Sequence, residues 1–289
     1  MDRDADITAI LPLGLWPMPG RPAEPAELCA ADGESLLTRA LSEVAQAGMT
    51  RAILAVATQR FRPRWLRAAL HEATRGLAAE KLALPRMRTL LIEQADSADD
   101  LVLQGLIHAE TLWSALIAPL CVQPDDRGLA EVRDAVAGSG QPAVMLAPAG
   151  WEAAIQLCLP RLHGGRLAGI AYHRDPAPGQ IAFAGRALLP SSFRFDPAAP
   201  GETGAHDYEQ LIAALCDQYP GTTPILSERE VTDARHFLPV SPQPQSRRPA
   251  AEPPDLTSGK AFFIALKRRT AEPVVPLPPM IPDQASLPR

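Results

Sequence analysis

The sequence predicts an α/β protein with a mainly parallel, mixed sheet covered on both faces by helices. Three observations carry this. The runs Ile7–Leu13 (ITAILPL) and Arg51–Ala57 (RAILAVA) are continuous apolar stretches rather than alternating ones, which marks strands buried on both faces. Between them, Glu34–Ala47 has apolar residues at Leu36, Leu37, Ala40, Leu41, Val44 and Ala45, a helical spacing. Gly48 then stands where a helix commonly stops. Strand, loop, helix and strand in this order form a βαβ unit, which implies parallel pairing.

The later elements follow the same logic. Pro63–Ala79 reads as a helix and Leu90–Ile92 as a third strand. Residues 97–117 read as one long, helical, mixed segment. Pro142–Leu146 is a buried strand, Trp151–Leu162 a helix and Leu167–Tyr172 a strand. Gln180–Leu189 is a strand, Asp207–Asp217 an amphipathic helix and Thr223–Leu226 a short late strand. The domain is expected to end near residue 239. Residues 239–289 hold 12 of the 31 prolines, and such a stretch favours polyproline II or disorder over a packed core. Within it, Lys260–Arg269 (KAFFIALKRR) is a short amphipathic run. It reads as a helix docking on the domain, or as a segment that binds a partner or a membrane surface.

Composition narrows the function classes. The 289 residues are 46% apolar and carry a net charge of −5. They show no basic footprint for nucleic acid. Cys29, Cys121, Cys158 and Cys216 lie far apart, without CxxC spacing, so they read as reduced core cysteines of a cytoplasmic protein. The acidic N-terminus, broken by Pro12, does not read as a signal peptide. No apolar run reaches the roughly 20 residues of a membrane helix.

The stretch from Ile10 to Cys29 (ILPLGLWPMPGRPAEPAELC) sits where α/β proteins place a phosphate-binding loop. Pro25-Ala26-Glu27-Leu28 resembles the P-K-E-M step of the bacterial UTP–glucose-1-phosphate uridylyltransferases, in the sugar-nucleotidyltransferase superfamily. Counting back, Pro12, Leu13 and Gly14 stand at that family's G-x-G, with Leu15 and Trp16 at T-R. Gln123 followed by Arg127-Gly128-Leu129 resembles the stretch that contacts the base. Ala143–Ala149 (AVMLAPA) resembles A-V-L-L-P-D, Ala182–Leu189 resembles "AIVGRYVL", and Pro200–Leu215 resembles "PGAGGEIQLTDAIAAL". The resemblance spans residues 7–238 and implies a three-layer α/β/α, Rossmann-like nucleotidyltransferase fold. It also implies a nucleotide site outlined by Gly14, Gln123 and Gly128, with a sugar nucleotide or UTP as ligand.

The departures from that pattern bear on catalysis. Transfer of a sugar phosphate to the α-phosphate of UTP needs cations, backbone N–H groups and a metal held by carboxylates. Trp16 replaces the loop Arg, Pro22 and Ala26 replace the two Lys, and Ala149 replaces the metal-binding Asp. His173 and Arg174 fall near the sugar-contacting Glu and its Lys, Ala205 replaces another Glu, and only Asp233 stands near the late Asp. Pro12, Pro17, Pro19, Pro22 and Pro25 remove N–H donors from the loop. The first reading is therefore a degenerate, catalytically inactive nucleotidyltransferase-like protein without a cofactor. It would act by binding a sugar nucleotide, a protein partner, a second copy or an active paralogue. Two readings stand beside it: an active, Mg²⁺-dependent uridylyltransferase rebuilt on Arg21, Arg174 and Asp233, and an adaptor working through its Pro-rich tail. Trp16 reads as packing over the vacated pocket, or as stacking on a base. His173 and His206, with Asp207 or Asp233, are weighed as an acid/base or metal group that no spacing demands.

Overall fold

A computed structural model describes residues 6–18, 21–28, 30–31, 34–59, 61–122, 128–149, 158–170, 180–195, 207–234 and 263–266. The main sheet contains β1 (Ile7–Leu13), β2 (Arg51–Ala57), β3 (Arg86–Ile92), β4 (Trp113–Ile117), β5 (Ala143–Ala149), β6 (Gln180–Pro190) and β7 (Thr223–Leu226). An eighth short strand, β8 (Phe263–Leu266), completes it. The order across the sheet is β7-β5-β6-β4-β1-β2-β3-β8. Only β6 runs antiparallel to its neighbours, β4 and β5. All seven residues of β1 are buried, as expected of a central strand covered on both faces. The expected mainly parallel mixed sheet in an α/β fold is what the chain forms.

The helices are α1 (Leu36–Gln46), α2 (Pro63–Ala79), α3 (Ala98–His108), α4 (Gly128–Ser139) and α5 (Glu209–Gln218). Their starts are coded locally. The Ser35 side chain caps α1 by accepting from the Thr38 N–H, Pro63 opens α2, and Ser97 with Asp100 forms a capping box on α3. Gly48 ends the α1 turn at φ +73°, a conformation that favours glycine. Helix α3 packs on β1 and β2, and α4 packs on β5, β6 and β7.

Several expectations are corrected. Residues 97–117 are not one helical segment. The helix stops at His108, Ala109 turns extended, and Trp113–Ile117 becomes β4, paired with β1. A five-residue apolar run fits either period, and pairing with a buried strand decides. Of the expected helix 151–162, residues 151–157 lie outside the described residues. Pro160–His163 is a strand, forming a hairpin with Arg166–Ile170. Gly164 and Gly165, both at positive φ, supply the two-residue turn such a hairpin wants. Residues 171–172 of the neighbouring expected strand also lie outside. Helix α4 was not anticipated, although Leu129, Val132 and Val136 give it a buried stripe. In the amphipathic run 260–269, the four described residues form a strand rather than a helix.

Candidate functional site

The site begins where β1 ends. Gly14 adopts φ +86°, and a Cβ there would lie 2.9 Å from both the Ala57 carbonyl oxygen and Phe61 Cβ. Close packing on the end of β2 thus explains the glycine without any ligand. The chain leaves through Pro17–Met18 and returns through Arg21–Pro25, which pair antiparallel. The return brings Ala26 back so that its N–H donates to the Trp16 carbonyl at 2.9 Å. Glu27, only 2% exposed, then reaches Gly14. Its Oε1 accepts the Gly14 N–H at 2.8 Å.

These residues border an open, narrow cleft whose enclosed part has room for little more than a water molecule. The chain enters its lining at Pro12, Leu13, Leu15 and Trp16, at Glu27, at Ala98, at Pro119–Cys121 and at Asp207–Tyr208. Two carboxylates and two aromatic rings are among these described residues, and no Lys, Arg or His is. Trp16 is half-buried in this lining. The far wall is set by α5. Tyr208 precedes that helix in a left-handed conformation, φ +64°, and its ring meets Phe183 edge-on with centroids 5.4 Å apart.

Behind that wall lies Asp99, which is 4% exposed. Its Oδ1 accepts the Leu211 N–H at 3.2 Å, tying α3 to the first turn of α5. Burial pushes its pKa up to about 7, and the nearby Asp207 and Asp100 add to the rise. The Leu211 and Gln210 N–H groups oppose it. Burial, followed by Glu209 and Asp99, pushes the Cys158 thiol up as well, so it is an inert core thiol.

A second, shallower recess shares Pro119 and Cys121 with the first and includes Leu36, Arg39, Glu43 and Arg186. Here Glu43, 1% exposed, meets Arg186, 6% exposed. The contacts are Nη2 to Oε2 at 2.7 Å and Nε to Oε1 at 3.2 Å. Arg186 also donates to the carbonyls of Cys121 and Ala184. Glu43 Oε1 accepts the Leu129 N–H at 2.8 Å. One ion pair therefore joins α1, β6, the Cys121 strand and the start of α4.

Of the expected nucleotide-site residues, Gly14 lies at the cleft, and Gly128 is the buried first residue of α4, next to Glu43's contact with Leu129. Gln123 lies outside the described residues, as do His173, Arg174, Ala205 and His206. Arg21 and Asp233 are placed by their backbones alone. Asp233 pairs with Cys121 in a two-residue strand. Ala149 is fully buried at the end of β5. Its methyl group offers no metal ligand, so the described residues at this position do not fit the divalent ion that the resemblance implies. No group of three His, Cys, Asp or Glu residues arranged for a metal occurs among the described residues.

Glu43, Arg186, Glu27 and Asp99 were not singled out from the sequence. A signal existed for the first pair. Glu43 falls in line with Leu36, Ala40 and Ala47 on the apolar stripe of α1, and Arg186 is the one charge in β6 (QIAFAGRALLP). Charges on buried faces imply each other.

No family model matches this sequence, and no curated protein does. Solved structures do match in fold. A putative glucose-1-phosphate thymidylyltransferase from Bacillus anthracis aligns with TM-score 0.61 and 14% identity, over 80% of this chain and 92% of that one. A UDP-glucose pyrophosphorylase complexed with UDP-glucose aligns with TM-score 0.58 and 13% identity, over 80% and 94%. A UTP-bound UGPase from Acinetobacter baumannii aligns with TM-score 0.57 and 18% identity, over 81% and 90%. The fold is therefore that of the sugar nucleotidyltransferases, a Rossmann-like α/β class. No helix among the described residues is long and apolar enough to cross a membrane.

Proposed function

We propose that this chain is a nucleotidyltransferase fold that binds without transferring. The observation that carries the reading is the hydrogen bond from the Gly14 N–H to Glu27. In the resembled family, the loop at the end of the first strand receives phosphate. Here a carboxylate of the same chain takes the N–H of Gly14 in that loop, and the described lining adds a second carboxylate at Asp207 and no cation. A triphosphate arriving there meets two carboxylates and, among the described lining residues, no cation. The replacement of the metal-binding Asp by Ala149 points the same way. A single lost charge-stabilising group can cost about 10²–10³ in rate, and several are replaced together.

What remains favours a ring over a phosphate. Trp16 and the largely buried Tyr208 stand among mostly apolar residues in the cleft lining. Two of the similar solved structures hold UDP-glucose and UTP, so uridine compounds are the class to test. A thermal-shift panel of uridine, UDP-glucose and UTP, each with and without Mg²⁺, tests the reading. Ligand at about 100 times its Kd raises stability by roughly 2.7 kcal/mol. Uridine and UDP-glucose are expected to raise the Tm without Mg²⁺ dependence, and UTP with Mg²⁺ is expected to do no better. A strong Mg²⁺-dependent shift with UTP alone contradicts the reading and favours a rebuilt active site. A flat Tm throughout removes the nucleotide and leaves the adaptor reading.

A further inference from the structure

Strand β3 would be the edge of the sheet were β8 absent. Its sequence, RMRTLLI, divides in two. Arg86 and Arg88 charge the first half, and Arg88 contacts Glu110 and the His108 carbonyl. The second half, Thr89–Ile92, carries no charge, proline or glycine. Charged side chains are one device by which natural edge strands avoid pairing with other chains, and an uncharged, regular edge invites it. Strand β8 lies on that second half, parallel, with Phe263 opposite Thr89, Ile264 opposite Leu90, Ala265 opposite Leu91 and Leu266 opposite Ile92. Lys267-Arg268-Arg269 follow it in the sequence. The described strand matches the unprotected stretch in position and in its lack of charge.

We propose that Phe263–Leu266 is a built-in edge strand that occupies the uncharged half of β3 and excludes other extended chains from it. The occupant is this chain's own C-terminal segment. Residues 235–262, which include six prolines, join it to Ala234. Covalent attachment to the same chain holds the segment near its edge at an effective concentration of about millimolar. Competing strands at micromolar concentration therefore lose to the tethered one. Four residues of parallel pairing are few, so the occupied state depends on the tether. Vacated, the edge takes an extended peptide with an uncharged central stretch by strand addition, whose main-chain hydrogen bonds are indifferent to most of the partner's sequence.

The test uses the full chain with Ile264→Pro and Ala265→Pro together. Neighbouring residues of a strand turn their N–H groups to opposite sides, so the pair removes whichever donor faces β3. Amide hydrogen exchange is read at Leu90, Leu91 and Ile92, with Ile10–Leu13 of β1 as the control for an intact fold. A fluorescent peptide of residues 260–269 is titrated into both proteins. Expected are at least tenfold faster exchange at Leu90–Ile92 with β1 unchanged, and peptide binding at least tenfold tighter to the variant than to the wild type. Unchanged exchange at Leu90–Ile92 overturns the proposal. So does a peptide that binds both proteins equally, or neither.

Discussion

Two buried glutamates lie on opposite sides of the Pro119–Cys121 bend and have different jobs. Glu43 is held by a two-point contact with Arg186 and caps the start of α4 through the Leu129 N–H. Glu27 sits in the cleft lining, where it accepts the Gly14 N–H. The first carboxylate is framework: it ties four elements into one rigid corner. The second lies in the cleft lining, on the return of the loop that leaves β1. The corner joins four elements, while the cleft loop presents a carboxylate.

The comparison breaks most sharply at Arg186. Arg186→Ala leaves Glu43 buried without its cation and should cost about 3–5 kcal/mol, read as a large fall in Tm or a shift in urea midpoint. The double variant Glu43→Gln with Arg186→Met should recover much of this, because replacing both charges removes the uncompensated one. A double variant as unstable as the single would show that geometry rather than charge is at stake.

Asp99 offers the next effect. Its carboxyl has an ordinary value of 3.8 and is pushed up to about 7 in the folded chain. Between those values the folded chain holds a proton that the unfolded chain has released. Its contribution is therefore fully present below about pH 4 and is lost as pH rises through 7. Asp99→Asn should flatten the Tm-versus-pH curve between pH 5 and 8 and raise the Tm at pH 8. An unchanged slope would assign the pH dependence elsewhere.

Glu27 comes third. Glu27→Ala removes the acceptor of a buried N–H and should cost about 1–3 kcal/mol, whereas Glu27→Gln keeps an acceptor and should cost less. If the two variants are equally unstable by chemical denaturation, the Gly14 bond is not what Glu27 contributes. The smallest effect is expected at Arg88 and Glu110, whose side chains pair at 3.3 Å with Glu110 77% exposed. Glu110→Ala should change stability by no more than about 0.5 kcal/mol, a baseline against which the buried pair can be judged.

How much of this was legible in the sequence follows from the range of the interactions. Continuous apolar runs identified β1, β2, β5 and β6, because burial on both faces leaves no alternation to misread. Helix starts with local caps, at Ser35 and Pro63, fell close to their expected places. The failures came where period was ambiguous, as in Trp113–Ile117, or where long-range pairing decides. Arg186 is 143 residues from Glu43 and Asp99 is 112 from Leu211, and no local pattern reveals such partners. Gly14 was legible as a special position. Its neighbour Glu27 was read as part of a motif rather than as the acceptor that fills the loop.

The central claim is that the cleft binds without transferring. The most direct measurement is pyrophosphate release from UTP and glucose 1-phosphate in the presence of Mg²⁺. The account predicts release indistinguishable from a control without protein. Release clearly above that control, dependent on Mg²⁺ and abolished by Asp233→Ala, would contradict it and establish a working transferase with a rebuilt site.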